Sequence, residues 1–495
     1  MYQPVKILYD ANIGIKFNID QHEADNCVID PYMHGCYCTD AAFARARITL
    51  HPEKMDSISA SSFLYFCSMN IEEIYQVYLQ HPDVQTDTRK IKEGELFFAL
   101  KGPNFNGNSF AQQAVDAGAA RVIIDEAAYE IPGKTILVDD VLTTLQQLAA
   151  HHRDQFRFPV IAITGSNGKT TTKELIHAVL SSTYKTYTTT GNLNNHIGVP
   201  LTLLKIRDDA QMAVIEMGAN HLLEIKGYCR VAKPTHGLIT NVGKAHLEGF
   251  GSLEGVKKGK GELYDFLRER GDGTAFVMWD YDYLRAMSRG IATIVSYGTG
   301  EADVVGAAKG HTAFLEVNFI KPATTTIQTQ LVGDYNLPNV LAATAIGDYF
   351  NIPMEKIKRA IEQYTPSNSR SQLLEKGSNK IILDAYNANP SSMKLAIENF
   401  ADRAGSNKML LLGAMAEMGA ASVAEHESIV ELIRRYKWQN VVLVGKPFAP
   451  YANEFNCFES SDKAAEWMKG HKPENTLLLI KGSRSTQMEK ILEVL

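Results

Sequence analysis

"IAITGSNGKTTTKELIHAVL", residues 161–180, reads as a strand, a tight turn and a helix start. Ile161–Thr164 is a short β-branched run, and Pro159 bounds it upstream. Glycine tolerates the positive φ that a sharp turn needs, and threonine suits a helix start. Such a unit offers free backbone N–H groups and a helix N-terminus to an anion. The usual phosphate loop has four residues between its first glycine and its Gly-Lys pair. Here Ile163 stands where that glycine would fall, and only Ser166 and Asn167 separate Gly165 from Gly168. The loop is therefore a shortened one. In it Lys169 would reach the β- and γ-phosphates of ATP and the Thr170 hydroxyl would ligate Mg²⁺. Gly165, Ser166, Asn167, Gly168 and Thr171 would complete the cradle.

Outward from the loop the same alternation continues. "MAVIEMG", "HGLITNVG" and "GTAFVM" are short apolar runs with helical stretches between them, the pattern of parallel strands. A second set, "KIILDAY", "KMLLLGAM", "NVVLVG" and "NTLLLIKG", fills the last 130 residues. Upstream, Met69 begins a helix–turn–strand pattern, with further strands in "RVIID" and "TILVDD" and a helix in "VLTTLQQLAAHHRDQF". An α/β fold follows, divided at 69–155, 156–365 and 366–495, with residues 1–68 outside the pattern.

The chain has 495 residues, too many for one core. A net charge of −6 argues against a general nucleic-acid binder. No apolar run approaches the length of a membrane span, and the first 20 residues lack the pattern of a secretory signal. Four of the six cysteines lie in residues 1–68. Reduced thiols are expected, with His34, Cys36 and Cys38 as a weaker metal alternative that lacks a second Cys/His pair. The segment 1–68 is expected to be a poorly packed extension whose loss leaves the rest unaffected.

"TGSNGKTTT" resembles the ATP site of the Mur ligase superfamily, which includes the folylpolyglutamate synthetases. The resemblance runs from Met69 to Leu495. It implies a three-domain architecture: an N-terminal UDP-binding α/β domain, a central P-loop ATPase-type parallel sheet and a C-terminal Rossmann-like domain. "VIEMGA" resembles the family strand that ends in a metal-binding glutamate, here Glu216, and "ITNVGKAHLEG" resembles the block holding a metal-binding histidine, here His246. Lys260, in "GKGELY", falls where several members carry a carbamylated lysine. "ILDAYNANPSSM" resembles the signature of the branch that adds D-alanyl-D-alanine to UDP-N-acetylmuramoyl-tripeptide. That implies substrate roles for Tyr386, Asn387 and Asn389, and for Asn194 and Asn195 in "TTTGNLNNHIGVP". "QTDTRKIKEGELFFALKG" resembles the first domain of that branch, with Asp87, Thr88 and Arg89 on the uridine side.

The implied activity is amide formation through an acyl phosphate, with ATP and two Mg²⁺ ions, by a cytoplasmic monomer. Arg370, in "SNSRSQ", would reach phosphate. The alternatives are a folylpolyglutamate-type ligase and a non-catalytic ATP-binding homologue. This chain departs from the family pattern in three places. Met278 stands at an adenine-contacting asparagine, which shifts expected adenine recognition to Asn336 and Asn339. Gly413–Ala414–Met415 replaces Gly-Asp-Met, and Asn106–Gly107–Asn108 replaces Asp-Gly-His.

Overall fold

The computed structural model describes residues 69–495 apart from 311–312, 367–368 and 406, together with four short strands in the first 68 residues. Those strands form two antiparallel pairs, Lys6–Tyr9 with Lys16–Ile19 and Val28–Ile29 with Cys36–Tyr37. The expected poor packing of the segment and the metal reading of His34, Cys36 and Cys38 lie outside the described residues.

From Ile71 onward the chain builds three large sheets and one two-stranded antiparallel pair, Lys101–Gly102 with Phe105–Asn106. The first holds β1 (Val84–Gln85), β2 (Leu96–Phe98), β3 (Arg121–Ile124) and β4 (Thr135–Leu137), all parallel, in the order β4-β3-β2-β1. Helix α1 (Ile71–Gln80) packs against α2 (Val141–Asp154), whose N-cap Asp140 accepts the Thr143 N–H. His152 on α2 joins this region to the next. Its Nε2 lies 3.0 Å from the Ile206 carbonyl and must donate there, so Nδ1 accepts the Tyr75 hydroxyl at 3.1 Å. Burial pushes its pKa down, which keeps the ring neutral for this double role.

The central sheet contains β5 (Val160–Thr164), β6 (Thr186–Thr188), β7 (Met212–Glu216), β8 (His236–Ile239), β9 (Thr274–Met278), β10 (Thr293–Gly298), β11 (Val304–Ala308), β12 (Glu316–Lys321) and β13 (Thr325–Gln328). Their order is β6-β7-β5-β8-β9-β10-β11-β12-β13, parallel up to β11 and antiparallel after it. Every residue of β5 is buried, as a near-continuous apolar run in a two-sided parallel sheet should be. Helix α3 (Lys169–Ser181) packs against α5 (Leu337–Tyr349), which is buried continuously from Asn339 to Gly347. Helix α4 (Leu253–Arg270) packs against β8; Ser252 caps it, and Gly271 ends it at φ 81°. After β5 the chain fills one side with β6 and β7, then crosses to β8 on the other. Connections diverge at the carboxyl end of β5, and a ligand crevice belongs there.

The last sheet holds β14 (Gln372–Lys376), β15 (Asn379–Asp384), β16 (Lys408–Gly413), β17 (Asn440–Val444), β18 (Asn456–Phe458) and β19 (Leu477–Lys481). Its order is β14-β15-β19-β16-β17-β18, with only β14 antiparallel. Helix α6 (Pro390–Asp402) follows β15 and begins with a capping box between Asn389 and Ser392.

Candidate active site

The turn after β5 is shaped by two glycines. Gly165 has φ 142°, and a Cβ there would collide with the Thr240 hydroxyl. Gly168 has φ 79°, and a Cβ there would lie 2.7 Å from Asn339 Oδ1. Both positions exclude a side chain, by conformation and by space. The loop is then tied to the segment after β8. Ser166 N donates to Asn241 O, Asn167 N donates to Asn241 Oδ1, and Thr240 Oγ1 donates to Asn167 O at 2.7 Å. Ser166 Oγ donates to Gly243 O and accepts Gly243 N, both at 3.0 Å. Lys169 Nζ folds back onto Gly165 O at 2.6 Å, and burial pulls its pKa below the ordinary lysine range against the opposing pull of Glu216.

The loop faces a cavity of about 680 Å³ lined from all sides of the crevice. Ser166, Asn167, Gly168, Lys169, Thr170 and Thr171 line it, as do Asn194, Asn195, Glu216, His246, Asn336 and Asn339. Arg370, Tyr386, Asn387 and Asn389 close it from the last sheet. Glu216 ends β7 with only 1% exposure; its Oε1 accepts Thr170 Oγ1 at 3.2 Å and Asn194 Nδ2 at 2.7 Å. Its Oε2 has no partner. Two other cavity-lining residues, His246 and Arg370, also hold buried atoms, Nδ1 and Nε, that lack a hydrogen bond. Buried polar atoms are nearly always paired; His246 Nδ1 has a carboxylate close by, so Glu216 Oε2 and Arg370 Nε are the two unpaired atoms that mark where a ligand would supply partners. A carboxylate oxygen beside the Thr170 hydroxyl, in a cavity that His246 also lines, suits a divalent cation. Among the described residues no three His, Cys, Asp or Glu side chains converge on one point, so ligand oxygens or water would complete the coordination.

Loops from the last sheet reach across to this crevice. Asn389 Nδ2 donates to Asn167 Oδ1 at 2.7 Å, so the residue that caps α6 also holds the Gly165–Lys169 loop. Lys244 pairs with Glu425 at 2.6 Å, and Lys244 N donates to Ser391 Oγ at 3.1 Å. His246 Nδ1 lies 2.5 Å from Glu417 Oε2, close enough for an ion pair but not aligned as a hydrogen bond. The imidazole holds the Glu417 carboxyl below the usual range, assisted by Lys169. Arg370 sits 3.6 Å above the Tyr386 ring, a cation–π contact that fixes the guanidinium over the cavity.

Residues 163–347 match the pattern of the Mur ligase middle domain, residues 369–484 that of the Mur ligase glutamate ligase domain, and residues 83–153 that of the Mur ligase catalytic domain. The UDP-N-acetylmuramoyl-tripeptide–D-alanyl-D-alanine ligase of Bacillus subtilis is 36% identical over 451 residues, which cover 86% of this chain and 97% of that protein. The chain belongs to the Mur ligase family. Solved structures agree with this. MurF from Acinetobacter baumannii superposes with a TM-score of 0.75 at 31% identity, over 83% of this chain and 92% of that one. MurF ligase from Thermotoga maritima in complex with ADP gives 0.74 at 25% identity, over 84% and 97%. The chain is thus an ATP-using ligase with the three-sheet α/β fold of the Mur ligases.

Not every residue that the Mur ligase resemblance points to reaches the cavity. Lys260 is fully buried in α4, with Nζ donating to Ala219 O at 2.8 Å and lying 5.1 Å over the Phe250 ring. Burial pushes its pKa well down, with Lys169 adding to the effect. Asp87, Thr88 and Arg89 sit in the turn after β1, outside this cavity; Asp87 caps the turn and pairs with Arg89 at 2.8 Å. Asn336 and Asn339 line the cavity, but Asn339 Nδ2 donates to Asn336 Oδ1 and Asn339 Oδ1 accepts Thr172 Oγ1. Their amides brace α3 and the turn glycine. Asn195 Oδ1 accepts Gly198 N and starts the next short helix. Glu417 carries no sign in the sequence beyond its place after the carboxyl end of β16.

Proposed function

We propose that this Mur ligase joins D-alanyl-D-alanine to UDP-N-acetylmuramoyl-tripeptide at the cost of one ATP. The observation that carries the reading is the grouping, around one cavity, of the Lys169–Thr170 loop, the unpaired Glu216 oxygen and Arg370 with the Tyr386–Asn389 segment. The Bacillus subtilis relative carries the dipeptide-adding name, which favours this over a folylpolyglutamate activity.

A carboxylate is a poor electrophile, so the terminal carboxylate of the tripeptide first takes the γ-phosphoryl group, releasing ADP. The backbone N–H groups of the loop and Lys169 stabilise charge at the β/γ oxygens. Lys169 must leave Gly165 O to do so. Arg370, steadied on Tyr386, meets the transferred phosphoryl oxygens. The dipeptide amine then attacks the acyl carbon; the amide bond forms, the C–O bond to phosphate breaks, and one proton is lost from nitrogen. Mg²⁺ at Thr170, Glu216 and His246 would neutralise phosphate charge and orient the oxygens. Burial lowers the Lys260 pKa, which favours the neutral amine that takes up CO₂ as a carbamate. Asp87, Thr88 and Arg89 hold the uridine end, and the working bodies are 69–155, 156–365 and 366–495. Such a reaction belongs to the cytoplasm, where nucleotide substrates are made; among the described residues no helix is long and apolar enough to cross a membrane. The enzyme acts as a monomer.

The test is phosphate release by the purified chain with ATP, D-Ala-D-Ala and tripeptides ending in diaminopimelate or lysine. Release should require both co-substrates and identify the tripeptide. Lys169→Ala should lower turnover about 10²–10³-fold with the fold intact. ATP hydrolysis indifferent to the dipeptide would sink the reading.

A further inference from the structure

His246 and Glu417 come from different sheets, and each holds a backbone conformation that non-glycine residues avoid. His246 has φ 53° and Glu417 φ 60°. Left-handed non-glycine residues persist only where surrounding contacts enforce them, and they gather at functional sites. The enforcing contacts are visible. Glu248 N donates to Glu417 O at 3.3 Å, and Lys244 pairs with Glu425 at 2.6 Å. This brings Glu417 Oε2 to 2.5 Å from His246 Nδ1. Nδ1 is buried and has no other partner. The last torsion of a histidine is soft, so a small ring rotation aligns Nδ1–H with the carboxylate.

We infer that Glu417 is a positioning residue: it fixes the tautomer and direction of His246, so that Nε2 is the nitrogen presented to the cavity. A histidine that binds a metal commonly gives its other N–H to a carboxylate, which raises its basicity and locks its ring. Here that carboxylate arrives from the last sheet, so the central site is complete only when the loop after β16 is seated on the segment after β8. The inference rests on the reading of Glu216 and His246 as cation-facing groups.

The test uses the full chain with ADP and Mn²⁺ as the probe, followed by electron paramagnetic resonance of free Mn²⁺. Glu216→Gln should weaken Mn²⁺ binding at least 10-fold and serves as the control for the cation site. Glu417→Ala should weaken it 10–100-fold, the usual loss for an outer-shell partner of a ligand. Glu417→Gln keeps an oxygen that accepts Nδ1–H and should restore most of the affinity. A role limited to clamping the two loops predicts no such rescue pattern and an equal loss in Lys244→Ala, which breaks the neighbouring pair. Wild-type Mn²⁺ affinity in Glu417→Ala, with loss in Glu216→Gln, overturns the inference alone. Wild-type affinity in both overturns the cation site and the inference with it.

Discussion

At the amino ends of the central strands, His236 sits among Phe276, Tyr349 and Phe350, with ring centroids 6.2, 5.5 and 5.1 Å away, and its Nδ1 meets Thr235 Oγ1 at 2.8 Å. At the carboxyl ends of the same strands, two positive-φ glycines, the half-buried Lys169 and an unpaired carboxylate oxygen surround a cavity. Both ends are buried and both hold titratable groups. The amino end pairs His236 Nδ1 with Thr235 and packs aromatic rings around the imidazole, which stabilises the fold. The carboxyl end leaves donors and acceptors unpaired, which costs stability and creates affinity. Parallel strands make this asymmetry natural, because connections diverge only where strands end.

The sharpest way to break the contrast is Gly165→Val. The new side chain meets Thr240 in a backbone region nearly closed to valine, so a loss of about 3–5 kcal/mol and of nucleotide binding is expected. Urea unfolding and ADP titration would show both; a stable variant that binds ADP normally would contradict the loop geometry.

The amino end should respond to acid instead. Burial lowers the His236 pKa to about 4 from an ordinary 6.5. The folded state therefore resists protonation. This contribution to stability is complete above pH 6.5 and drains away as pH falls toward 4, by up to about 3 kcal/mol. His236→Phe should flatten that part of the pH–stability curve, and an unchanged slope would remove His236 as its source.

Asn389→Ala removes a helix cap and the bond to Asn167 together. About 1–2 kcal/mol of stability should be lost, with weaker ADP binding. A stability loss with unchanged ADP affinity would mean that the loop does not depend on the last sheet. Smallest of all is Arg89→Ala. The side chain is 84% exposed and paired only within its own turn, so urea unfolding should show no change in stability. A raised KM for the UDP substrate alone would support a uridine contact, and an unchanged KM would remove it.

Much of this was legible in order along the chain. The strand run Val160–Thr164, the glycine turn and the threonines of α3 are local patterns, and local sterics make them readable. Glu216 was singled out through the family strand that "VIEMGA" resembles, and it does end a buried strand. Asn389 was legible as a motif residue but not in its role: capping α6 and gripping Asn167 depends on where the last sheet docks. Lys260 was legible as a helix residue near the site, yet its amine turns to Ala219 O. Asn336 and Asn339 were read as base contacts, while their amides largely serve each other and Thr172.

The sequence by itself determined the α/β class, the order of the three large sheets along the chain and the strand–turn–helix at Val160–Ser181, because strand periodicity and glycine conformation act over a few residues; the family was legible in its motifs' resemblance. Only the tertiary structure decided that Glu417 faces His246, that Asn389 holds Asn167 and that Arg370 rests on Tyr386. Two of those contacts join residues from different sheets, and the third sets a side chain's direction over the cavity. Each is fixed by packing among distant segments, which no local pattern encodes.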